Sequence, residues 1–501
     1  MSSDVQRKMA HGAFWMMLFK LIERSLGMIS TLILVRLLSP SDFGIAAMAG
    51  SFILMAEMLA AFSFDVNLIQ NQKATEAHYH SAWTCNVLLG SLITALMLAA
   101  ATSIAGFYKH PELFWVVCAL ALGPLITGCE NIGIVAFRKD MQFRREFAFQ
   151  LSRKVAGFLV VVPFAYFLRS YWALVAGILV SKLAGTTISY LAHPFRPHFS
   201  LAKARGLLSF SKWMLFNNFV GFLKERSVDF VIGRSLGAAP LGLYNVSYEI
   251  AIMPTTELAA PINRALLPGF ASIAHDPGAM RSAYGNAIGM LALIGVPAAT
   301  GIFAMAPYIV PTLLGPKWLA GVPLMEILAF NGGLLLFHSS ICTVLIANGS
   351  PDRVTKVNGL YVLMLLILFG LLIPGYGLVG AAVAALIASI LSTPIYLFQV
   401  RRSVGVPASV FLGVAFRPVA AALAMAVIVR WVCPEWTSSM RFATSLGWTI
   451  GGILLGVATY TGAILLLWLA AGRPAGAETE IIKVVRHRIL KRGAAPPSTI
   501  S

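Results

Sequence analysis

The sequence is poor in charge. Asp, Glu, Lys and Arg together make up 12% of its 501 residues. A water-soluble domain carries about twice that share, so the shortage excludes a soluble globular fold. Acid is scarcest of all, with 20 Asp and Glu against 38 Lys and Arg, a net charge of +18. Cysteine is also sparse. The 5 present are Cys85, Cys118, Cys129, Cys342 and Cys433. Their odd number and their spacing exclude a disulfide framework and a zinc site, and leave thiols in apolar surroundings. No phosphate loop ending in Gly-Lys-Ser/Thr and no His-Glu-x-x-His pair occurs, so neither an ATPase domain nor a zinc protease is encoded. The stretches between apolar runs are short, and the longest external one, near 307–321, has no room for a glycosyltransferase. His78, His80 and His110 fall in loops with no supporting partners.

Apolar residues take the place of the missing charge. They are 58% of the chain and come in runs of about 18 to 26, the length a helix needs to cross some 30 Å of hydrocarbon. Spans are expected near 13–35, 43–65, 82–106, 113–136, 148–168, 171–192, 209–233, 241–263, 284–306, 322–346, 356–374, 377–399, 411–430 and 445–471. This describes an all-α integral membrane protein of about fourteen transmembrane helices.

The basic residues support the layout. Arg7, Lys8, Arg138, Lys139, Arg144, Arg145, Arg153, Lys154, Arg401, Arg402 and the tail residues Arg473 to Arg492 gather on one side. The other side keeps Arg36, Lys109, Arg169, Arg234, Lys317, Arg430 and Arg441. The excess marks the cytoplasmic face, with both termini there, and is not a nucleic-acid footprint. Arg7 and Lys8 before an apolar run resemble the opening of a signal peptide. Lys20, Glu23 and Arg24 interrupt that run and no small-residue cleavage site follows, so an uncleaved first span is expected. The tail from 473 is either a basic amphipathic helix over Glu478–Arg492, lying on anionic headgroups, or a solvated positive segment.

An internal repeat organises the spans. Trp15 matches Trp213, Arg36 matches Arg234, Leu38 matches Leu236 and Gly44 matches Gly242, each pair 198 residues apart. The repeated stretches are the turns after the first and the seventh span. An even number of spans lies between them, so the halves enter the membrane in the same sense, as a parallel repeat. The expected domains are an N-terminal six-helix lobe (1–200), a C-terminal six-helix lobe (201–405), two extra helices (406–472) and a basic cytoplasmic tail (473–501).

Charged residues inside spans are costly and mark a cavity or a partner. The first span carries Lys20, Glu23 and Arg24; its repeat mate carries Lys224, Glu225, Arg226 and Asp229. Further acids are Glu57, Asp65, Glu130, Glu249, Glu257 and Glu326, and Lys182 lies in the sixth span. Lys20, Arg24, Lys224 and Arg226 are suited to a diphosphate. Glu23, Glu57, Asp65, Asp229, Glu249 and Glu257 either balance that charge or carry a coupling H+ or Na+. The plainer alternative is that these groups form ion pairs between helices. No catalytic residue, metal site or bound cofactor is expected. Pro254, Pro261, Pro268, Pro297 and Pro307 allow bent helices in the second half.

Three stretches carry a family resemblance. They are Arg36-Leu-Leu-Ser-Pro-Ser-Asp-Phe-Gly44, Ala136-Phe-Arg-Lys-Asp-Met-Gln-Phe-Arg-Arg-Glu-Phe147 and Leu345-Ile-Ala-Asn-Gly349-Ser-Pro-Asp-Arg-Val-Thr-Lys356. They are similar to the turn after helix 1, the basic loop after helix 4 and the turn after helix 10 of the Wzx-type polysaccharide flippases, in the multidrug/oligosaccharidyl-lipid/polysaccharide exporter superfamily. The resemblance covers the chain to about residue 471. It implies translocation of an undecaprenyl-diphosphate-linked oligosaccharide across the bacterial inner membrane by alternating access, for exopolysaccharide or O-antigen synthesis. It also implies membrane lipids as partners, together with a polymerase and a chain-length regulator of the same pathway. By resemblance to lipid II flippases, Arg24 matches an arginine of helix 1 and Arg264 one of helix 8, both lining the cavity; helices 13 and 14 match a groove for the lipid tail. The rival readings are a multidrug/cation antiporter of the same superfamily and a membrane polysaccharide polymerase or ligase. The first usually has twelve spans, and the second needs a large periplasmic loop that is absent here.

Overall fold

The computed structural model describes residues 3–59, 64–71, 73–204, 212–273, 275–437, 440–474 and 478–479. The expected amphipathic tail helix lies almost wholly outside them. Among the described residues there is no strand. Long helices dominate because runs this apolar leave the backbone no partner but itself in a bilayer. In chain order they are α1 (Ser3–Leu37), α2 (Pro40–Leu59), α3 (Phe64–Gln70), α4 (Glu76–Tyr108), α5 (Leu113–Gly128), α6 (Val135–Lys139), α7 (Phe143–Leu168) and α8 (Trp172–Ala192). The series continues with α9 (Lys212–Leu236), α10 (Ala238–Ser272), α11 (Pro277–Ile309), α12 (Val322–Ala347), α13 (Pro351–Val404), α14 (Ala408–Val432) and α15 (Phe442–Ala470).

Among the described residues, 9 of these helices are long and apolar enough to cross a membrane. The number rises to 10 if α5 and the segment Ile132–Lys139, bent by 62°, form one span. This measure does not reach fourteen, for two physical reasons. Helices α1, α9 and α10 are long enough but carry the charged residues noted above. Helix α13 has 54 residues, about 80 Å if straight, and is broken inside: Gly377 takes φ 56°, ψ −133°. Past the break Gly380 lies so close to the Leu372 carbonyl that a Cβ there would overlap it.

The chain divides into two compact units, Met1–Leu243 and Tyr244–Ser501. The division falls later than residue 200 because α9 packs on α2, within the first unit. In that unit α4 and α5 approach through small residues. A Cβ on Gly90 would meet the Pro124 backbone and one on Gly128 the Asn86 backbone, the close packing that membrane helices favour. Leu34, Leu38, Val161, Ala165 and Ala173 form a buried cluster between α1, α7 and α8. In the second unit Tyr284, Leu291, Leu336, Ile341 and Tyr396 anchor a larger one. The outward surface is apolar as well: Leu88, Leu92 and Leu96 follow one face of α4, each with half or more of its surface exposed. Such a stripe on a helix at spacing i, i+4 suits lipid contact.

Two sequence readings change. His78 and His80 lie in the first turns of α4 and are not loop residues. His78 Nδ1 accepts from the Thr75 backbone N–H at 3.1 Å, capping the helix, and His80 stacks on His198. His110 is partnered by Glu112 at 2.8 Å. The cysteines are all free thiols, with Cys85 buried.

Candidate functional site

The charges of α1 are set in place by aromatic packing. Trp15 lies against Phe147 with ring centroids 5.1 Å apart, and Phe19 meets the same ring edge-on. This register brings the next turns of α1 and α7 together. Glu23 accepts from Lys20 at 2.7 Å and from Lys154 of α7 at 3.2 Å. Two lysines therefore share one carboxylate. Arg24 follows on the same helix, half-buried.

Beside them a cavity of about 380 Å³ opens between α1, α7 and α8. Glu23, Arg153, Lys154 and Lys182 line its charged part, and Leu34 and Leu174 its apolar part. Each base here has an acid. Lys182 donates to Glu57 of α2 at 2.7 Å, and Arg153 stands 3.7 Å from Glu130. Lower in the unit Arg138 bridges Asp65 at 3.3 Å and Glu146 at 3.4 Å.

The repeat mate of α1 places its charge differently. Asp229 of α9 is buried, 2% exposed. It accepts from Ser51 of α2 at 3.0 Å and lies 3.4 Å from Arg226. Gly233, one turn on, has no side chain and so lets the Tyr108 ring approach. Lys224 is half-buried on the same helix. Glu249 and Glu257 lie on α10 with exposed side chains. Arg264 is also on α10, but its side chain lies outside the described residues.

The structure thus brings Lys20, Glu23 and Lys154 together, and separately Arg226 with Asp229. It joins Glu57 to Lys182 and Asp65 to Arg138. Sequence reasoning missed the part played by Arg153 and Lys154. They read as cytoplasmic-side charges at the start of the expected span 148–168, yet they lie about three turns inside α7 (Phe143–Leu168). It also passed over Arg417, nine residues inside α14 (Ala408–Val432), where an arginine in an apolar run is signal enough. A Gly-x-Ser-x-Gly spacing also occurs, at Gly233-Arg234-Ser235-Leu236-Gly237. It is the end of a helix and not a strand–turn–helix elbow, and the Ser235 hydroxyl donates to the Val231 carbonyl at 2.6 Å.

A long-helix fold with paired charges inside its spans defines a multi-pass membrane transporter. Comparison with known proteins narrows the class. Residues 33–323, more than half of the chain, match the polysaccharide biosynthesis protein family, and the chain belongs to that family. It is 25% identical over 359 residues to the lipopolysaccharide biosynthesis protein WzxC of Escherichia coli, covering 71% of this chain and 73% of the relative. It is 25% identical over 463 residues to the succinoglycan biosynthesis transport protein ExoT of Rhizobium meliloti, covering 90% and 92%. In fold it is similar to the lipid II flippase MurJ in an inward closed conformation, with TM-score 0.72 and 14% identity over 91% of this chain and 99% of that one. An inward-facing multidrug transporter of the MATE family follows, with TM-score 0.56 and 15% identity over 76% and 94%.

Proposed function

We infer that this protein is a flippase for lipid-linked oligosaccharide repeat units in polysaccharide biosynthesis. The observation that carries this reading is the shared carboxylate of Glu23. Lys20 and Lys154 face it from two helices, so the group keeps an excess positive charge at membrane depth. Uncompensated charge there is costly, and a diphosphate is an anion able to offset it. Arg24, on the next position of α1, adds a planar guanidinium suited to phosphate. We assign Lys224 and Arg226, which lie in the same unit, to this cationic path. Membership in a polysaccharide biosynthesis family supports the reading, as do relatives named as a biosynthesis protein, a biosynthesis transport protein and a probable glycan biosynthesis flippase.

In finer detail the substrate is an undecaprenyl-diphosphate-linked unit, moved from the cytoplasmic to the periplasmic leaflet of the bacterial inner membrane by alternating access, with both termini cytoplasmic. The chain acts as a transporter and not as an enzyme, and it hands its product to a polymerase and a chain-length regulator. Glu23, Glu57, Asp65 and Asp229 sit on bases, which supports charge balance as their role. We assign the coupling of H+ or Na+ to Glu249 and Glu257, whose side chains on α10 are open to exchange.

The test is polymer export in cells carrying Arg24→Ala or Lys154→Gln, with membrane protein level measured alongside. Export is expected to fall at least about tenfold, as for loss of a charge-assisted phosphate contact, at unchanged protein level. Full export by both variants would remove the cationic path.

A further inference from the structure

A second cavity, of about 460 Å³, lies within the C-terminal unit, between α11, α14 and the segment that follows α15. From α11 it is lined by Arg281 and Gly285, from α14 by Gly413 and Arg417, and from the last segment by Glu478. Its shape comes from what is missing: a Cβ on Gly413 would find no atom within 4 Å. Arg417 is nine residues from the start of α14, about 14 Å along the helix. Its Nε and Nη2 donate to Glu478 Oε1 at 2.9 and 2.7 Å. Glu478 is buried there, although it belongs to the tail beyond the last long helix. Arg281 is exposed and has no ion pair among the described residues. Two guanidiniums and one carboxylate leave the cavity with a net positive charge.

We propose that this cavity binds the phosphate headgroup of an anionic phospholipid, and that Glu478 occupies part of the same site as a built-in competitor. Guanidinium groups recognise carboxylate and phosphate oxygens with the same fork of donors. The Glu478 carboxylate therefore marks where a phosphate oxygen sits. Basic pockets between membrane helices are suited to such headgroups. The surroundings favour a lipid over a soluble anion. Leu412 and Phe416 flank the cavity on α14 with 63% and 71% of their surface exposed, an apolar wall for acyl chains next to the two arginines. A phosphodiester carries one negative charge, which matches the excess. When it binds, Arg417 exchanges one anionic partner for another, and the tail carboxylate is released from the cavity.

Native mass spectrometry of the purified full-length protein tests this, with dioctanoyl phosphatidylglycerol as probe and inorganic phosphate as a second arm. Retention of the lipid is expected to fall about tenfold in Arg281→Gln, which removes a charge but none of the ion pairs described, and in Gly413→Leu, which fills the cavity and keeps every charge. Retention is expected to rise in Glu478→Gln, where the competitor is neutral, and millimolar inorganic phosphate is expected not to displace the lipid. Equal retention in wild type, Arg281→Gln and Gly413→Leu would overturn the site. Displacement by inorganic phosphate would overturn its assignment to a lipid. Transport by the Arg24 and Lys154 variants does not enter either outcome, so this proposal and the flippase reading fail separately.

Discussion

Gly44 and Gly242, mates in the 198-residue repeat, make a reciprocal contact. A Cβ on Gly44 would overlap the Ala238 carbonyl, and a Cβ on Gly242 would overlap the Pro40 carbonyl. Pro40 and Ala238 are themselves repeat mates, and they open α2 and α10. A contact in which each residue touches the other's counterpart is the mark of a local two-fold relation. Alanine at either position has to push backbone apart, an overpacking cost of about 1–3 kcal/mol. Gly44→Ala and Gly242→Ala are each expected to lower the thermal unfolding midpoint in detergent. The double variant is expected to lower it by less than the sum, because one displaced contact serves both. Gly106→Ala, with open space around it, serves as the unaffected control.

The Glu57–Lys182 pair ties α2 to α8 at 2.7 Å. Lys182 is the less exposed partner and lies against Gly123, where no side chain stands in its way. Lys182→Met leaves the partly exposed Glu57 carboxylate without this base and is expected to cost about 1 kcal/mol. Removing both charges in Glu57→Gln with Lys182→Met is expected to recover most of that loss. The check is a double-mutant cycle on thermal stability. If the double variant is no better than the single one, the pair has no coupling and the bridge is incidental.

Much of this architecture is legible in sequence because a bilayer enforces it: an apolar run of sufficient length has no alternative to the helix. The start of α2 at Pro40 and of α10 at Ala238 follow the repeat offset to the residue. The break in α13 was announced by Pro374-Gly375-Tyr376-Gly377, since only glycine takes the φ of 56° found at Gly377 without strain. The pairing of charges is another matter. Lys20 with Glu23 is a local i, i+3 pair and can be read directly. Glu23 with Lys154, or Arg417 with Glu478, depends on which helices become neighbours, and no local pattern encodes that. Arg153 and Lys154 read as residues of the span's cytoplasmic end because α7 begins at Phe143, just after Met141 turns the chain at φ 58°, and nothing in the residue types marks that earlier start.

Asp229 and Arg226 set a limit on how the cationic path can be probed. Arg226→Ala takes away the 3.4 Å partner of a carboxylate that is 3% exposed. Breaking a buried pair from one side is destabilising by about 3–5 kcal/mol, so Arg226→Ala is expected to lower protein level along with export. Arg226→Ala combined with Asp229→Asn is expected to restore the level, because the amide keeps the Ser51 hydroxyl as a partner without a charge to bury. Export by that double variant then reports on Arg226 itself. Quantifying membrane protein for the two variants separates stability from transport. Equal, wild-type levels in both would mean that Asp229 does not depend on this arginine.

Gly377 divides the 54-residue helix α13. Its φ of 56° and ψ of −133° lie where a side chain is strained, at a cost of about 1–3 kcal/mol. No atom lies within 4 Å of a Cβ built there, so the penalty of Gly377→Ala is one of backbone conformation and not of packing. Gly375→Ala, two residues earlier and equally open, has an ordinary φ and is expected to be neutral. The contrast between these alanines is the test, because both add the same methyl group in the same setting. A lower unfolding midpoint for Gly377→Ala alone places the strain at the turn. Matching midpoints would mean that the break tolerates a side chain and that the chain reverses by some other device, with the neighbouring Pro374 the first residue to substitute.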